Sequence, residues 1–140
     1  MMDALPRPTG RVVLRIYRDG VLERVDEGEN LVLDAALPAL IAALGNRITQ
    51  VGFGTAGNAA APGDTALTGA FAKAVSAVTF PTPKTIQVAF TLLGTEANGV
   101  SIQELGLLDA GGILLARRTR APLYKTPDLS IDGTWTLAYP

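Results

Sequence analysis

The sequence predicts an all-β protein, an antiparallel β-sandwich with one short α-helix at about residues 35–44. Runs in which apolar and polar residues alternate recur along the chain, as is typical of half-buried strands. Turn-forming residues separate these runs, with 15 Gly and 9 Pro among 140 residues. A single segment has the apolar spacing of a helix, so strands are expected to form the bulk of the fold. We expect one sandwich domain over residues 11–140, after a flexible N-terminal arm at residues 1–10.

The first two strands are predicted as a hairpin around Asp19-Gly20. The run 11–17 places three apolar side chains on one face, those of Val12, Leu14 and Ile16. A second run follows at 21–25, and an Asp-Gly pair between two such runs favours a type I′ turn, in which both central residues have positive φ. Residues 27–30 are predicted to form a polar turn.

The helix is predicted from four apolar residues that fall on one face, namely Leu37, Leu40, Ile41 and Leu44. Asp34 is a suitable N-cap, Pro38 fits the first turn, and Gly45-Asn46 is a suitable end. Because a helix of about ten residues is marginal alone, we expect it to pack against a sheet.

The remaining strands follow from alternation with period two, at residues 49–53, 70–80, 85–92, 100–108, 113–118 and 131–139. The run 85–92 alternates most clearly, whereas 70–80 is a strand of small side chains. Trp135 is predicted to anchor the core because it lies within an alternating strand. A long loop is expected at 54–68, and a hairpin turn at Asp109–Gly112.

The composition excludes several classes of chemistry. The chain has no histidine and no cysteine, which excludes disulfides, thiol nucleophiles, cysteine-based zinc sites, Ser-His-Asp triads and imidazole acid–base catalysis. A formal charge of -1 argues against a protein that binds nucleic acid by neutralising many phosphates. No run approaches the roughly 18 apolar residues of a membrane span, and the first residues have no apolar region of a secretory signal. We therefore expect no metal, no cofactor, no nucleic acid and no membrane insertion.

The segment Gly52–Gly57 matches the G-x-G-x-x-G spacing of dinucleotide-binding loops. That motif works when a helix begins within it and directs backbone N–H groups at a pyrophosphate. Pro62-Gly63 would interrupt such a helix, and no βαβ unit surrounds the segment. We therefore interpret its glycines as turn residues of a flexible loop.

Carboxylates are the remaining candidates for catalysis. Four acids near the first hairpin are expected to be solvated turn residues, namely Glu23, Asp26, Glu27 and Glu29. Glu104 lies in an apolar run, and we expect it to pair with Arg117 or Arg118 on the next strand. These interpretations assign no catalytic residue, so we expect the protein not to be an enzyme.

Two groups of residues are predicted to form an interface. The first is the densest basic group, since arginine is enriched at protein–protein interfaces. It consists of Arg117, Arg118 and Arg120. The second is a row of small side chains that would let a neighbouring backbone approach closely. It consists of Ala70, Ala72 and Ala74. We expect a homo-oligomer, the alternative being a monomer that associates only within a larger particle.

Several short segments, taken in order, resemble those of bacteriophage tail-fibre and tail-collar proteins. They are Asn30–Asp34, Val51–Thr55, Ala61–Thr68, Glu96–Gly99, Ile102–Leu108, Gly112–Arg118, Lys125–Ser130 and Gly133–Leu137. Together they extend over residues 28–138, which is nearly the whole chain.

The resemblance implies a structural protein of the virion, in the baseplate, tail tip or fibre-attachment region, made in the cytoplasm of a bacterial host. It implies other phage tail, baseplate or fibre proteins as partners, favours a trimer, and carries over no catalytic residue. The alternative is a receptor- or glycan-binding module at the tail tip. An exposed aromatic pair would favour glycan binding, whereas an apolar patch rimmed by Arg and Asp would favour assembly.

Overall fold

The structure is a computed structural model that describes residues 2–140, with side chains from Leu5 onward. Its strands are β1 (Met2–Ala4), β2 (Thr9–Arg18), β3 (Val21–Leu31), β4 (Gln50–Gly54), β5 (Phe71–Ala74), β6 (Ala77–Thr82), β7 (Thr85–Leu92), β8 (Ser101–Leu108), β9 (Leu114–Tyr124) and β10 (Ile131–Ala138). A single 3-10 turn, Asp34–Ala36, leads into the helix α1 (Leu37–Arg47).

Eight of these strands form two four-stranded sheets, in the orders β1-β10-β7-β6 and β5-β4-β8-β9. Every pairing is antiparallel except that of β1, which runs parallel to β10. The prediction of an all-β, antiparallel sandwich-like fold with one short helix is confirmed.

The core lies between the two sheets, because alternate residues of the inner strands point toward each other. In β7 the alternation expected from the sequence is confirmed, with Ile86, Val88, Phe90 and Leu92 all buried. The ring of Phe53 on β4 meets that of Phe90 on β7 edge to face, with 6.0 Å between ring centroids. Trp135 is 1% exposed, which confirms its predicted place in the core.

The helix extends to Arg47, beyond the predicted end, and closes one end of the core with Leu37 and Ile41. Pro38 lies in the first turn, where a missing N–H costs no hydrogen bond. Asp34 does not cap the helix as expected; its carboxylate pairs with Arg7 at 2.7 Å instead.

The segment 70–80 is two strands in different sheets, so the prediction of one strand is wrong. The chain crosses between the sheets at Val75-Ser76. The Val75 amide donates to the Thr49 carbonyl at 3.1 Å, next to β4, and the Ser76 amide donates to the Ala89 carbonyl of β7 at 2.8 Å. Period-two alternation continues through such a crossing, which is why the pattern did not reveal it.

Two expectations at the N-terminal end also differ from the structure. Residues 2–4, within the expected flexible arm, pair with β10, and the Leu5 amide continues the ladder to the Ala138 carbonyl at 2.8 Å. Residues 27–30, expected as a turn, belong to β3, because their backbone continues the ladder to β2. Ladder pairing outweighs the low strand propensity of glutamate, glycine and asparagine there.

Candidate functional site

The strands β2 and β3 form a separate two-stranded hairpin that pairs with neither four-stranded sheet. Its turn is the predicted one, with φ of 51° at Asp19 and 79° at Gly20. Within the described part of the chain, the buried core cluster contains no residue of this hairpin. Such a ribbon in isolation is at best marginally stable in water.

The hairpin exposes apolar side chains on both faces. The even-numbered residues of β2 and their cross-strand partners define the first face, which carries Val12 and Leu14, exposed by 46% and 49%. The odd-numbered residues and their partners define the second face, which carries Val13, Tyr17 and Val25, exposed by 39%, 58% and 49%. Several exposed apolar side chains grouped on one element are characteristic of an interaction site.

Charged residues surround these apolar side chains. On the first face, Arg24 lies opposite Ile16 and Asp26 lies opposite Leu14, so Arg and Asp rim the patch. On the second face, Arg11 pairs with Glu27. Exposed pairs of this kind contribute at most about 1 kcal/mol, so they do not by themselves hold the hairpin in shape.

The edges of the hairpin differ from those of the sandwich. The edge strands β6 and β9 each contain a proline, Pro81 and Pro122, and each shifts register against its neighbouring strand. Both features commonly protect an edge strand against pairing with a further strand. The other two edge strands have only 3 and 4 residues. By contrast, β2 and β3 have 10 and 11 residues without proline, although their pairing also shifts register, between Ile16 and Tyr17.

The predicted interface residues do not come together. Ala72 and Ala74 are exposed on β5, with Ala70 exposed just before it, whereas Arg118 and Arg120 are exposed on β9. Since β5 and β9 are opposite edges of one sheet, the alanine and arginine groups form two separate surfaces.

Arg117 is inside the protein, which corrects its assignment to an interface. Its side chain is 5% exposed, its Nε donates to Glu104 Oε1 at 2.8 Å, and a terminal nitrogen donates to Asp64 Oδ2 at 2.9 Å. The expected pairing of Glu104 with an arginine of the next strand is therefore present, with Arg117 as the partner.

Glu104 also holds both ends of the long loop. Its Oε2 accepts hydrogen bonds from the amides of Ala56 at 2.9 Å and Thr68 at 2.8 Å. Burial raises the pKa of Glu104, but the bonds from Thr68, Arg117 and Ala56 together outweigh burial and hold the pKa below its ordinary value. The hydrogen bond to Glu104 in turn raises the pKa of Arg117. The long loop, which was expected to be flexible, is therefore held at both ends by hydrogen bonds to Glu104.

The glycines of the G-x-G-x-x-G segment have a packing role. A Cβ on Gly54 would lie 2.6 Å from Glu104 Oε2, and one on Gly52 would lie 2.6 Å from Leu67 Cδ1. No helix begins after the segment, since β4 leads into the loop and then β5. The geometry is therefore that of a close loop contact and lacks the helix N-terminus of a dinucleotide site.

Lys125 is a buried charge that the sequence analysis did not single out. It is 0% exposed, and its ammonium donates to the Gly94 carbonyl at 3.2 Å, Asn98 Oδ1 at 3.0 Å and the Thr126 carbonyl at 3.0 Å. All three N–H groups are used, so the residue fixes the turn at 94–99. Lys125 belongs to no alternating or helical pattern of apolar residues, so its burial could not be predicted from the sequence.

The described residues offer no other site of recognisable chemistry. Among residues 5–140, whose side chains the structure describes, no three acidic side chains lie close enough to hold a metal ion. In the same range, no helix is both long enough and apolar enough to cross a bilayer. An open cleft of about 510 Å³ lies at the base of the hairpin, but its arginines are engaged, Arg7 with Asp34 and Arg11 with Glu27.

Comparisons of the chain with protein families, with curated proteins and with solved structures find no match in any of the three.

Proposed function

We propose that this protein is a non-enzymatic structural subunit of a bacteriophage tail, in the baseplate, tail tip or fibre-attachment region. In this proposal it assembles with copies of itself and with neighbouring tail proteins. The observation that carries the assembly role is the β2–β3 hairpin, which exposes apolar side chains on both faces. The placement in a phage tail rests on the sequence resemblance.

The form of the hairpin favours assembly over glycan binding. Its first face is an apolar patch, with Val12 and Leu14, rimmed by Arg24 and Asp26. Among the described residues, the aromatic rings in mutual contact are those of Phe53 and Phe90, and both are buried. Glycan sites typically use aromatic rings that are accessible to the sugar.

The buried charges of the sandwich support a scaffold role. Glu104 is held ionised by its hydrogen bonds, whereas a general acid requires a carboxyl that stays protonated. The Lys125 ammonium donates all its N–H groups to oxygens of the protein itself. Both groups fix loops, which suits a subunit that presents rigid surfaces.

The proposal is tested on particles. Phage particles purified from the bacterial host that encodes this chain are labelled with an antibody against it and imaged in negative stain. Label at the tail, with tailless or fibreless particles after deletion of the gene, supports the proposal. Absence of the chain from purified particles, with normal tails after deletion, would overturn it.

A further inference from the structure

The two strands of the hairpin carry opposite charge. The strand β2 has three arginines and no acid, whereas β3 has four acids and one arginine. The second face shows the same division, with Arg11 and Arg15 on β2 and Glu27 and Glu29 on β3. The outer edge of β2 is thus basic, and the outer edge of β3 is acidic.

On the second face, one charge of each strand is left without an ion pair among the described residues. Arg11 is paired with Glu27, but Arg15 and Glu29 appear in no salt bridge between described residues. Both lie on the second face, Arg15 at one edge of the ribbon and Glu29 at the other. A second hairpin placed edge to edge would bring the Arg15 edge of one copy to the Glu29 edge of the next.

Contact through a face alone is too small for a stable association. Ten residues at about 3.4 Å give a ribbon about 34 Å long and about 10 Å wide, hence about 340 Å² per face. Stable interfaces bury about 800 Å² per partner. Edge pairing adds a ladder of backbone hydrogen bonds, and the two strands that would meet, of 10 and 11 residues, match in length.

From these observations we propose that copies of this chain join through their hairpins, β2 of each copy pairing with β3 of the next to close a β-barrel, which has six strands for the trimer that the sequence resemblance favours. The first face then points inward, where Val12, Leu14 and Ile16 of each copy fill the barrel, and Arg24 and Asp26, which share this face, have to pair with each other inside it. Small barrels are filled by side chains in this way. Gly28, opposite Val12, leaves room for the aliphatic residues of the neighbours. Head-to-tail pairing of this kind generates a closed ring.

The inference deepens the proposed function by naming the partner of the hairpin, and its test uses purified protein alone. Leu14→Asp places an unpaired acid opposite Asp26 on the inward face, and Val13→Asp, its matched control, places an acid opposite Glu27 on the outward face. Light scattering should give about three times the chain mass of 14.6 kDa for the wild type and for V13D, and 14.6 kDa for L14D. Trp135, the single tryptophan and a core residue of the sandwich, reports by its fluorescence that each variant has folded.

A charge exchange tests the edges independently. Arg15→Glu alone should raise the concentration at which the trimer dissociates about tenfold or more, because it adds an acid to the basic edge that faces the acidic edge of the next copy at each of the three junctions. Arg15→Glu combined with Glu29→Arg should restore the wild-type value. Within one hairpin Arg15 lies opposite Val25 and Glu29 lies opposite Arg11, so Arg15 and Glu29 are not cross-strand partners there. A rescue by the double exchange would therefore indicate pairing between copies.

Three results would overturn the barrel. The first is a wild-type mass of 14.6 kDa at every concentration up to about 100 μM. The second is an equal mass for L14D and V13D. The third is a trimer of the double exchange that dissociates at the same concentration as that of R15E. A monomeric wild type that is nevertheless found in the tail of the particle would leave the proposed function standing while removing this inference.

Discussion

The carboxylate of Glu104 and the guanidinium of Arg117 form a buried ion pair between the adjacent strands β8 and β9, with 2.8 Å between Oε1 and Nε. Their side chains are 0% and 5% exposed. Asp64 is the second carboxylate on Arg117, so the arginine joins β8, β9 and the long loop at one point. Loss of one partner from a buried pair leaves the other charge without compensation, which is strongly destabilising.

Glu104→Gln should therefore lower the free energy of unfolding by about 3 kcal/mol, because the neutral amide leaves Arg117 with one of its two carboxylates. Urea unfolding followed by Trp135 fluorescence measures the change. Asp132→Asn, which removes an exposed carboxylate, is the matched control and should stay within about 0.5 kcal/mol of the wild type. Equal urea midpoints for E104Q and D132N would contradict the structural role of the pair.

The same residue should make stability depend on pH. Hydrogen bonding holds the pKa of Glu104 below its ordinary value of 4.5, so at low pH the unfolded chain binds a proton at this carboxyl before the folded chain does. The stability that Glu104 contributes is complete above the ordinary pKa and is lost as the pH falls through the lower value of the folded state. Urea midpoints at pH 7, 5, 4 and 3 should fall below pH 5, and less steeply in E104Q. A midpoint independent of pH, or equal slopes in both proteins, would contradict the prediction.

Gly54→Ala should destabilise the fold by about 1–3 kcal/mol, since its Cβ would lie 2.6 Å from Glu104 Oε2 and 2.8 Å from the Thr68 carbonyl. Gly63→Ala is the control in the same loop, because a Cβ there meets nothing within 4 Å. We expect that variant to be neutral or slightly more stable. Thermal denaturation followed by far-UV circular dichroism compares the two, and a G54A melting temperature at or above that of G63A would show the contact to be unimportant.

Lys125→Met should cost about 1–3 kcal/mol, because methionine keeps most of the side-chain volume but leaves the partly buried oxygens of Gly94, Asn98 and Thr126 without their donor. Lys84→Met, at a lysine that is only partly buried, is the control. Amide hydrogen exchange gives a second readout, since residues 94–99 should lose protection in K125M while the centre of β7 keeps it. Unchanged protection of the turn would show that Lys125 does not fix it.

Much of the sandwich follows from the sequence because its strongest signals are local. The buried residues of β7 are those that alternation predicts, as are Trp135 and Leu137 of β10, although Ala138 on the opposite face of β10 is buried too. The Asp19-Gly20 turn has the positive φ values that its residue types favour. The assignment of strands to sheets does not follow in the same way. Nothing in the run 11–25 distinguishes a strand of the sandwich from a strand of a separate ribbon, since both alternate with period two.

The candidate site was the part least accessible from sequence. Whether Arg117 or Arg118 turns inward depends on the register of β9 against β8, which no local pattern specifies. The second partner of Arg117, Asp64, lies in a loop 53 residues away in the chain. The charge division between β2 and β3 was visible in the sequence, but its meaning depends on the finding that both strands have an unpaired edge within the described chain.

The crossing at Val75-Ser76 has a mechanical consequence. Two successive amides are hydrogen-bonded to opposite layers, one to Thr49 and the other to Ala89. Sliding of one layer over the other would stretch a connection only one peptide unit long, so the two layers are clamped together at this point. Tension applied to one layer would therefore pass directly to the other through the covalent chain.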